Sequence, residues 1–391
     1  MKYLVIGDSN SMHIFNFVKN FLLPKGYEVH LLSLSTQSIK ESFRNFYREN
    51  GVVVHSVAER GYRGLNKTSL PYRLLNLWRK LRLMKELKNV DVCHVQSVYK
   101  TALLMVLQNK KKIQHLILSY WGGDVEDINP HVLSLREKCF NFADVITVTV
   151  KQTLLDFQRI HGHAYDEKLM ISRFATEGLD CIKQLSETST REACRNEYNV
   201  ASNKILITCG YSAYPEQHQD TCLEVIKALP NDLRNRIHVI IPMQYGRFDL
   251  SYINKVSFLA ASCDFPCDIL HEYVPFEKSA MLAVATDIYL HVRDTDAFSN
   301  ALKEHVFAGS NIIKGDWLSY IELTEMNALV KSIATLDDLS TALENALNDY
   351  IPCEKITLFA PIYEMYSTES INAQWQAVLE KAIPTGNGKD T

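Results

Sequence analysis

Short apolar runs alternate with helix-length amphipathic segments from one end of the chain to the other. Tyr3–Ile6, Glu28–Leu32, Val52–His55, Val92–Val95, His115–Ser119 and Val145–Val150 predict strands. The stretches near 11–23, 37–49, 70–88, 98–109, 132–142 and 150–160 predict the helices that accompany them. Runs this apolar keep no polar face for water, so a parallel sheet covered on both sides is expected. The rhythm pauses over 175–203, where the polar stretch Ser186-Glu187-Thr188-Ser189-Thr190-Arg191-Glu192 carries no long apolar run. It resumes with strands at Ile205–Thr208, His238–Pro242, Ile269–Val274, Ile288–Val292 and Asn311–Lys314, and helices near 218–228, 249–261, 277–284, 297–308 and 338–348. Two such series predict an α/β protein of two doubly wound, Rossmann-like domains with a cleft between them. The expected divisions are 1–180, 181–365, and a closing segment, 366–391, with a last helix over Ile371–Ala382 and a frayed tail.

Composition narrows the class. Of 391 residues, 47% are apolar and 22% charged, and 42 basic against 45 acidic side chains leave a net charge of −3, which excludes a globally basic nucleic-acid binder. The nine cysteines have no zinc-ligand spacing; Cys263 and Cys267 form a lone CxxxC, so reduced thiols are expected. The opening apolar run is too short for a secretory signal, and no uncharged stretch is long enough to span a bilayer. A cytoplasmic chain is expected. Residues 60–88 depart from this neutrality: Arg60, Arg63, Lys67, Arg73, Arg79, Lys80, Arg82, Lys85 and Lys88 face one acid, Glu86. Leu74, Leu77, Trp78, Leu81 and Met84 recur there at helical spacing, which predicts either packing on the sheet or a peripheral contact with the anionic inner face of the cell membrane.

Candidate chemistry lies where strands end. Gly7-Asp8-Ser9-Asn10-Ser11 joins the first strand to a helix carrying His13; its single glycine does not make a dinucleotide fingerprint. The segment after Ile288–Val292 is richer. With Ser299 at a helix N-cap, the amides near Asn300 and Ala301 would present a partial positive charge suited to a diphosphate, and Glu304, in the second turn, could accept hydrogen bonds from a ribose diol.

Asp296, Phe298, Ser299, Glu304, Ala308, Gly309 and Ile312 resemble the signature of the GT-B glycosyltransferases, especially retaining family four. Asp91-Val92-Cys93-His94, Ser119-Tyr120-Trp121-Gly122-Gly123-Asp124 and Ala143-Asp144-Val145-Ile146 are similar to further steps of that family. The resemblance implies a metal-independent enzyme that takes a nucleotide-diphosphate sugar, most simply a UDP-sugar, and needs no cofactor. It places Asp296 near the donor sugar as the catalytic acid residue. It gives Ser299 and Asn300 to the diphosphate and Glu304 to the ribose; Gly210, Tyr211, Arg247 and Phe298 are further donor-side candidates, and Ser9, His13, Trp121, Gly122 and Asp124 are candidates for the acceptor side or the cleft. The acceptor implied is lipid-linked or a polysaccharide, in bacterial surface glycan synthesis.

The family's usual Arg and Lys are absent from Cys209-Gly210-Tyr211-Ser212-Ala213-Tyr214-Pro215-Glu216-Gln217-His218-Gln219. That stretch, with Ile240–Arg247, is similar to the Fuc4NAc transferases of enterobacterial common antigen synthesis. Arg247, Arg293 and Lys303 are the candidates for a substitute cation, and both anomeric outcomes stay open. Asp294-Thr295-Asp296 also spells the metal-binding DxD of GT-A enzymes, though in the wrong half of the chain. A nucleotide-sugar epimerase of the same architecture and a non-catalytic sugar-nucleotide or glycan-binding protein are the alternatives.

Overall fold

The computed structural model describes residues 1–35, 37–57, 70–87, 89–246, 249–272, 275–353 and 355–384. Arg247, Arg60, Arg63, Lys67, Lys88 and the tail from Gly386 lie outside the described residues. The chain forms two compact units, Met1–Ala175 joined by the segment from Glu369 onward, and Thr176–Thr368.

In the first unit, β1 (Lys2–Gly7), β2 (Glu28–Ser33), β3 (Val53–His55), β4 (Val90–Val95), β5 (Ile113–Tyr120), β6 (Val145–Val148) and β7 (Leu169–Ile171) form a parallel sheet in the order β3-β2-β1-β4-β5-β6-β7. In the second, β8 (Ile205–Cys209), β9 (Ile237–Pro242), β10 (Cys267–Leu270), β11 (Ile288–His291), β12 (Asn311–Gly315) and β13 (Val330–Ile333) run parallel in the order β10-β9-β8-β11-β12-β13. In each sheet the order reverses beside the first strand of the series, which opens a crevice at the carboxyl ends of the strands.

Period-two alternation decides which face each side chain covers. Leu4 and Ile6 join one core with Cys93, Val95, Leu116 and Leu118, while Tyr3 and Val5 join the opposite core with Val29, Leu31, Val92 and Ile117. Each such Leu or Ile contributes roughly 1.5–3 kcal/mol by leaving water. The second core also takes Ile371, Trp375, Val378 and Leu379 of the helix Thr368–Ala382, so the chain ends by covering the sheet it began. A buried polar chain crosses that sheet from Tyr3 Oη through His94 and Ser119 to Thr147, and burial pushes the His94 imidazole down to about 3, leaving it neutral.

One device recurs in both units. Asp91, Asp144 and Asp287 stand at the starts of β4, β6 and β11, and each carboxylate accepts from an amide of the neighbouring strand: Lys2, Leu116 and Leu206, all at 2.7 Å. Asp287 also pairs with Arg191 at 2.7 Å and Arg195 at 2.8 Å.

Several expectations change. The polar stretch over 175–203 folds as two helices, Glu177–Thr188 and Arg191–Glu197, because Leu179, Ile182 and Cys194 suffice as a narrow buried stripe. The strand expected over Ile269–Val274 starts earlier and runs over Cys267–Leu270, while Tyr273 and Val274 lie outside the described residues. The helix expected over 11–23 is α-helical only to Phe17, then widens to a π-type turn over Val18–Leu22 and tightens at Leu23–Lys25, where Pro24 removes an amide donor. In the helix Leu70–Glu86, Met84 turns inward beside Leu83 and Leu87 instead of sharing a face with Leu74 and Trp78. Lys80, counted among the surface cations, is buried and donates to the Leu34 carbonyl at 2.6 Å.

Candidate active site

The helix Asn300–Phe307 starts where the signature places it, with Ser299 at the N-cap. The turn before it is strained: Phe298 adopts φ +64°, costly for an aromatic residue, and is held there by burial against Tyr320 and Tyr366. This turn brings Asp296 back under the helix, where its Oδ2 accepts from the Ser299 amide at 2.8 Å.

Asp296 is the hub. Its Oδ1 accepts from the Tyr211 hydroxyl at 2.8 Å, and its Oδ2 also accepts from the Tyr320 hydroxyl at 2.8 Å and lies 3.3 Å from His291 Nε2. Burial alone would raise this carboxyl, but His291, the Ser299 amide and Tyr320 outweigh it and hold the group well below the usual carboxylate range. Burial, then the Asp296 charge, push the Tyr211 phenol up to about 12, so it stays a donor. With both oxygens engaged, Asp296 has little capacity left for a substrate hydroxyl.

Arg293, at the end of β11, donates to the Tyr211 hydroxyl, and its guanidinium lies 5.6 Å and 5.7 Å from the Tyr211 and Tyr214 ring centres. Lys303, a second named cation, does not join it. Lys303 turns over the rings of Phe298 and Tyr366 and reaches Asn300 Oδ1 at 3.4 Å, and Arg247 is outside the described residues. Gly210 follows β8 at φ +64°; a side chain there would strike Gln217 and Gln219. Asn300 points back toward Thr176, whose hydroxyl it accepts at 3.0 Å. Among the described residues, the polar atoms buried at these carboxyl ends without a hydrogen-bond partner include Ser299 Oγ, Arg293 Nε and Gln244 Nε2, together with His291 Nδ1 and Gln219 Oε1. Such atoms are costly unless something else meets them.

Glu304 sits in the second turn of the helix, buried, with Ser279 Oγ donating to it at 3.2 Å. A Cβ added to Gly178 would lie 2.1 Å from its Oε1, so the glycine makes room for the carboxylate. Burial raises this carboxyl to about 7, against the smaller opposing pulls of Ser279 and Lys303.

In the first unit, His13 stacks on Phe174 at 4.2 Å, and Trp121 meets both edge-on, at 6.1 Å from His13 and 5.0 Å from Phe174. Gly122 is half-buried beside them, opening the short helix Gly122–Val125. Two expected acceptor-side residues turn inward. Ser9 is buried against Ser33 Oγ at 2.8 Å. Asp124 is buried beneath its own loop, accepting from Ser97 Oγ and the Trp121 amide, with Arg136 3.7 Å away. Ser9 is thus tied to the end of β2, and Asp124 to the amide of its own turn. His291, Tyr320 and Phe174 carry no local sequence signal: each joins its cluster from a different element.

Two parallel sheets of this order, each covered by helices, define the GT-B fold of glycosyltransferases. Residues 2–150 match the Glycosyl transferase 4-like family model. Over almost their whole lengths, three solved structures are similar. Sucrose-phosphate synthase from Thermosynechococcus elongatus has a TM-score of 0.71 at 12% identity, covering 97% of this chain and 99% of that one. Anabaena Alr3699/HepE, solved with UDP and glucose, has 0.63 at 11%, with 97% and 99% covered. The UDP-forming trehalose-phosphate synthase from Burkholderia xenovorans, solved with glucose-6-phosphate, has 0.65 at 10%, with 98% and 100% covered. No curated protein matches the sequence.

Proposed function

We propose that the protein is a glycosyltransferase whose second unit holds a nucleotide-diphosphate sugar, UDP-linked in the simplest case, and whose acceptor is a lipid-linked or polysaccharide glycan. The observation that carries this reading is the set of buried, unpartnered Ser299 Oγ at the amino end of the helix Asn300–Phe307, Arg293 Nε just after β11 and Gln244 Nε2 just after β9. Their polarity and the helix dipole suit an anionic group with several acceptor oxygens. The similar structures solved with UDP and with a sugar phosphate support the same substrate class. So does the Fuc4NAc-transferase resemblance, which accounts for a donor site lacking the usual cation pair.

In this reading the bond from the anomeric carbon to the diphosphate breaks as the acceptor hydroxyl's oxygen bonds to that carbon, and the hydroxyl proton passes to the departing diphosphate. Negative charge grows on the departing diphosphate, and Arg293 with the first-turn amides offsets it. Asp296 acts as a positioning residue: it fixes Tyr211, which in turn holds Arg293, and it ties down the Ser299 amide. Glu304 accepts from the ribose diol. His13 and Trp121 offer an aromatic surface to the acceptor sugar.

Titration calorimetry with UDP, UMP and uridine tests the diphosphate site. Arg293→Ala should weaken UDP about 10- to 100-fold, the range of a charge-assisted hydrogen bond, and leave uridine unchanged. Equal loss for both ligands would refute the assignment of Arg293. Transfer of labelled sugar to a lipid-extracted acceptor would distinguish a transferase from an epimerase, which would return only an isomerised nucleotide sugar.

A further inference from the structure

The helix Leu70–Glu86 has two opposed faces. Lys80, Leu83 and Met84 are buried inward with Asn76. Leu74, Trp78, Arg82 and Lys85, at spacings of four, four and three, form the outward stripe, where Leu74 is 58% and Trp78 54% exposed. The Arg82 guanidinium lies 5.6 Å from the Trp78 ring centre. Near its carboxyl end the stripe meets a second basic element. Lys112 donates to the Lys85 and Leu87 carbonyls, which brings the exposed Lys110 and Lys111 alongside Lys85. From Leu74 to Lys85 the sequence contains no acid.

We infer that this face docks on an anionic lipid bilayer, with Trp78 and Leu74 entering the headgroup boundary and Arg82, Lys85, Lys110 and Lys111 meeting lipid phosphates. A soluble polyanion would use the cations but has no place for an exposed Trp–Leu pair. A bilayer interface takes both, since an indole has an apolar body and a polar edge. No helix among the described residues is long and apolar enough to cross a membrane, so this contact lies at the surface. The inference stands apart from sugar transfer, because vesicle binding is measured without donor or turnover.

The test is co-sedimentation of the full chain with phosphatidylcholine vesicles, with and without phosphatidylglycerol. Partition is expected only with the anionic lipid, and it should fall as salt shortens the screening length. A blue shift of tryptophan fluorescence should accompany it and vanish in Trp78→Phe. Arg82→Glu with Lys85→Glu, and separately Lys110→Glu with Lys111→Glu, should each lower partition at least tenfold. All four side chains are exposed or half-exposed, so the melting temperature should hold. Three results would each overturn the inference: wild type left in the supernatant, undiminished binding by the charge-reversed variants, or heparin binding that Trp78→Ala leaves unchanged while vesicles compete poorly.

Discussion

Glu304 links protonation to both stability and ligand affinity. Its carboxyl rises to about 7 in the folded chain because burial penalises the charge, whereas in the unfolded chain it returns to about 4.3. The folded protein therefore holds a proton that the unfolded chain has released. Its contribution to stability is complete below the unfolded value and is lost as pH rises through about 7. Glu304→Gln should accordingly raise the melting temperature near pH 8 and leave it unchanged near pH 4, as differential scanning calorimetry would show. The same substitution should weaken UDP, because an amide offers the ribose one neutral acceptor where the carboxylate offers two charged oxygens. For the wild type, UDP affinity should decline by up to tenfold per pH unit below about 7, since binding must first remove that proton. A flat affinity profile between pH 5 and 8 would mean that Glu304 does not meet the ribose. Gly178→Ala serves as a steric control: its methyl would press on Glu304 Oε1, so nucleotide binding should fall with the carboxylate still present.

The strands depend on short polar anchors as much as on apolar runs. Asp287 is fully buried in its side chain, and its loss would leave Arg191, Arg195, Tyr350 and the Leu206 amide without their shared acceptor. Breaking a buried pair in this way costs about 3–5 kcal/mol, so Asp287→Ala should lower the urea midpoint sharply, while the exposed Asp264→Ala should not. The acid at a strand start was legible as an Ala-Asp step at 143–144, but its grip on the neighbouring backbone was not, since the partner lies on a different strand. Long strands were legible because they are apolar on both faces. β7 and β13 were not: Leu169–Ile171 is half-exposed throughout, and Lys331 and Ser332 face outward between Val330 and Ile333. Likewise the spacing of Asp296, Ser299 and Glu304 could be read along one helix, whereas His291 and Tyr320 reach Asp296 from other elements. Asp124 shows the converse limit: a motif identifies a loop, but whether its carboxylate faces the solvent or its own turn is decided by the donors nearby.

Across the whole molecule, charge balance at the donor site is the deciding question. The chain is nearly neutral, with a net charge of −3, so no general field draws a dianionic diphosphate; local groups must do so. Arg293 is the described cation that reaches the signature loop through Tyr211, and Lys303 is committed to aromatic rings. One guanidinium and the amino end of one helix, worth about half a charge, offset part of the two charges the diphosphate carries and the further one that develops as the anomeric C–O bond breaks. The remainder falls to hydrogen bonds from Ser299 and Gln244 in a site shielded from water. If these groups do the work, transfer should continue at full rate in excess EDTA and should show no activation by magnesium or manganese. Tyr211→Phe should then lower kcat more than it raises KM, because it frees Arg293 from the bond that holds it in place at the stage when charge is greatest. Loss of activity in EDTA that magnesium restores would transfer that role to a cation held with the diphosphate. The Arg293→Ala defect should in that case be partly relieved by raising the metal concentration.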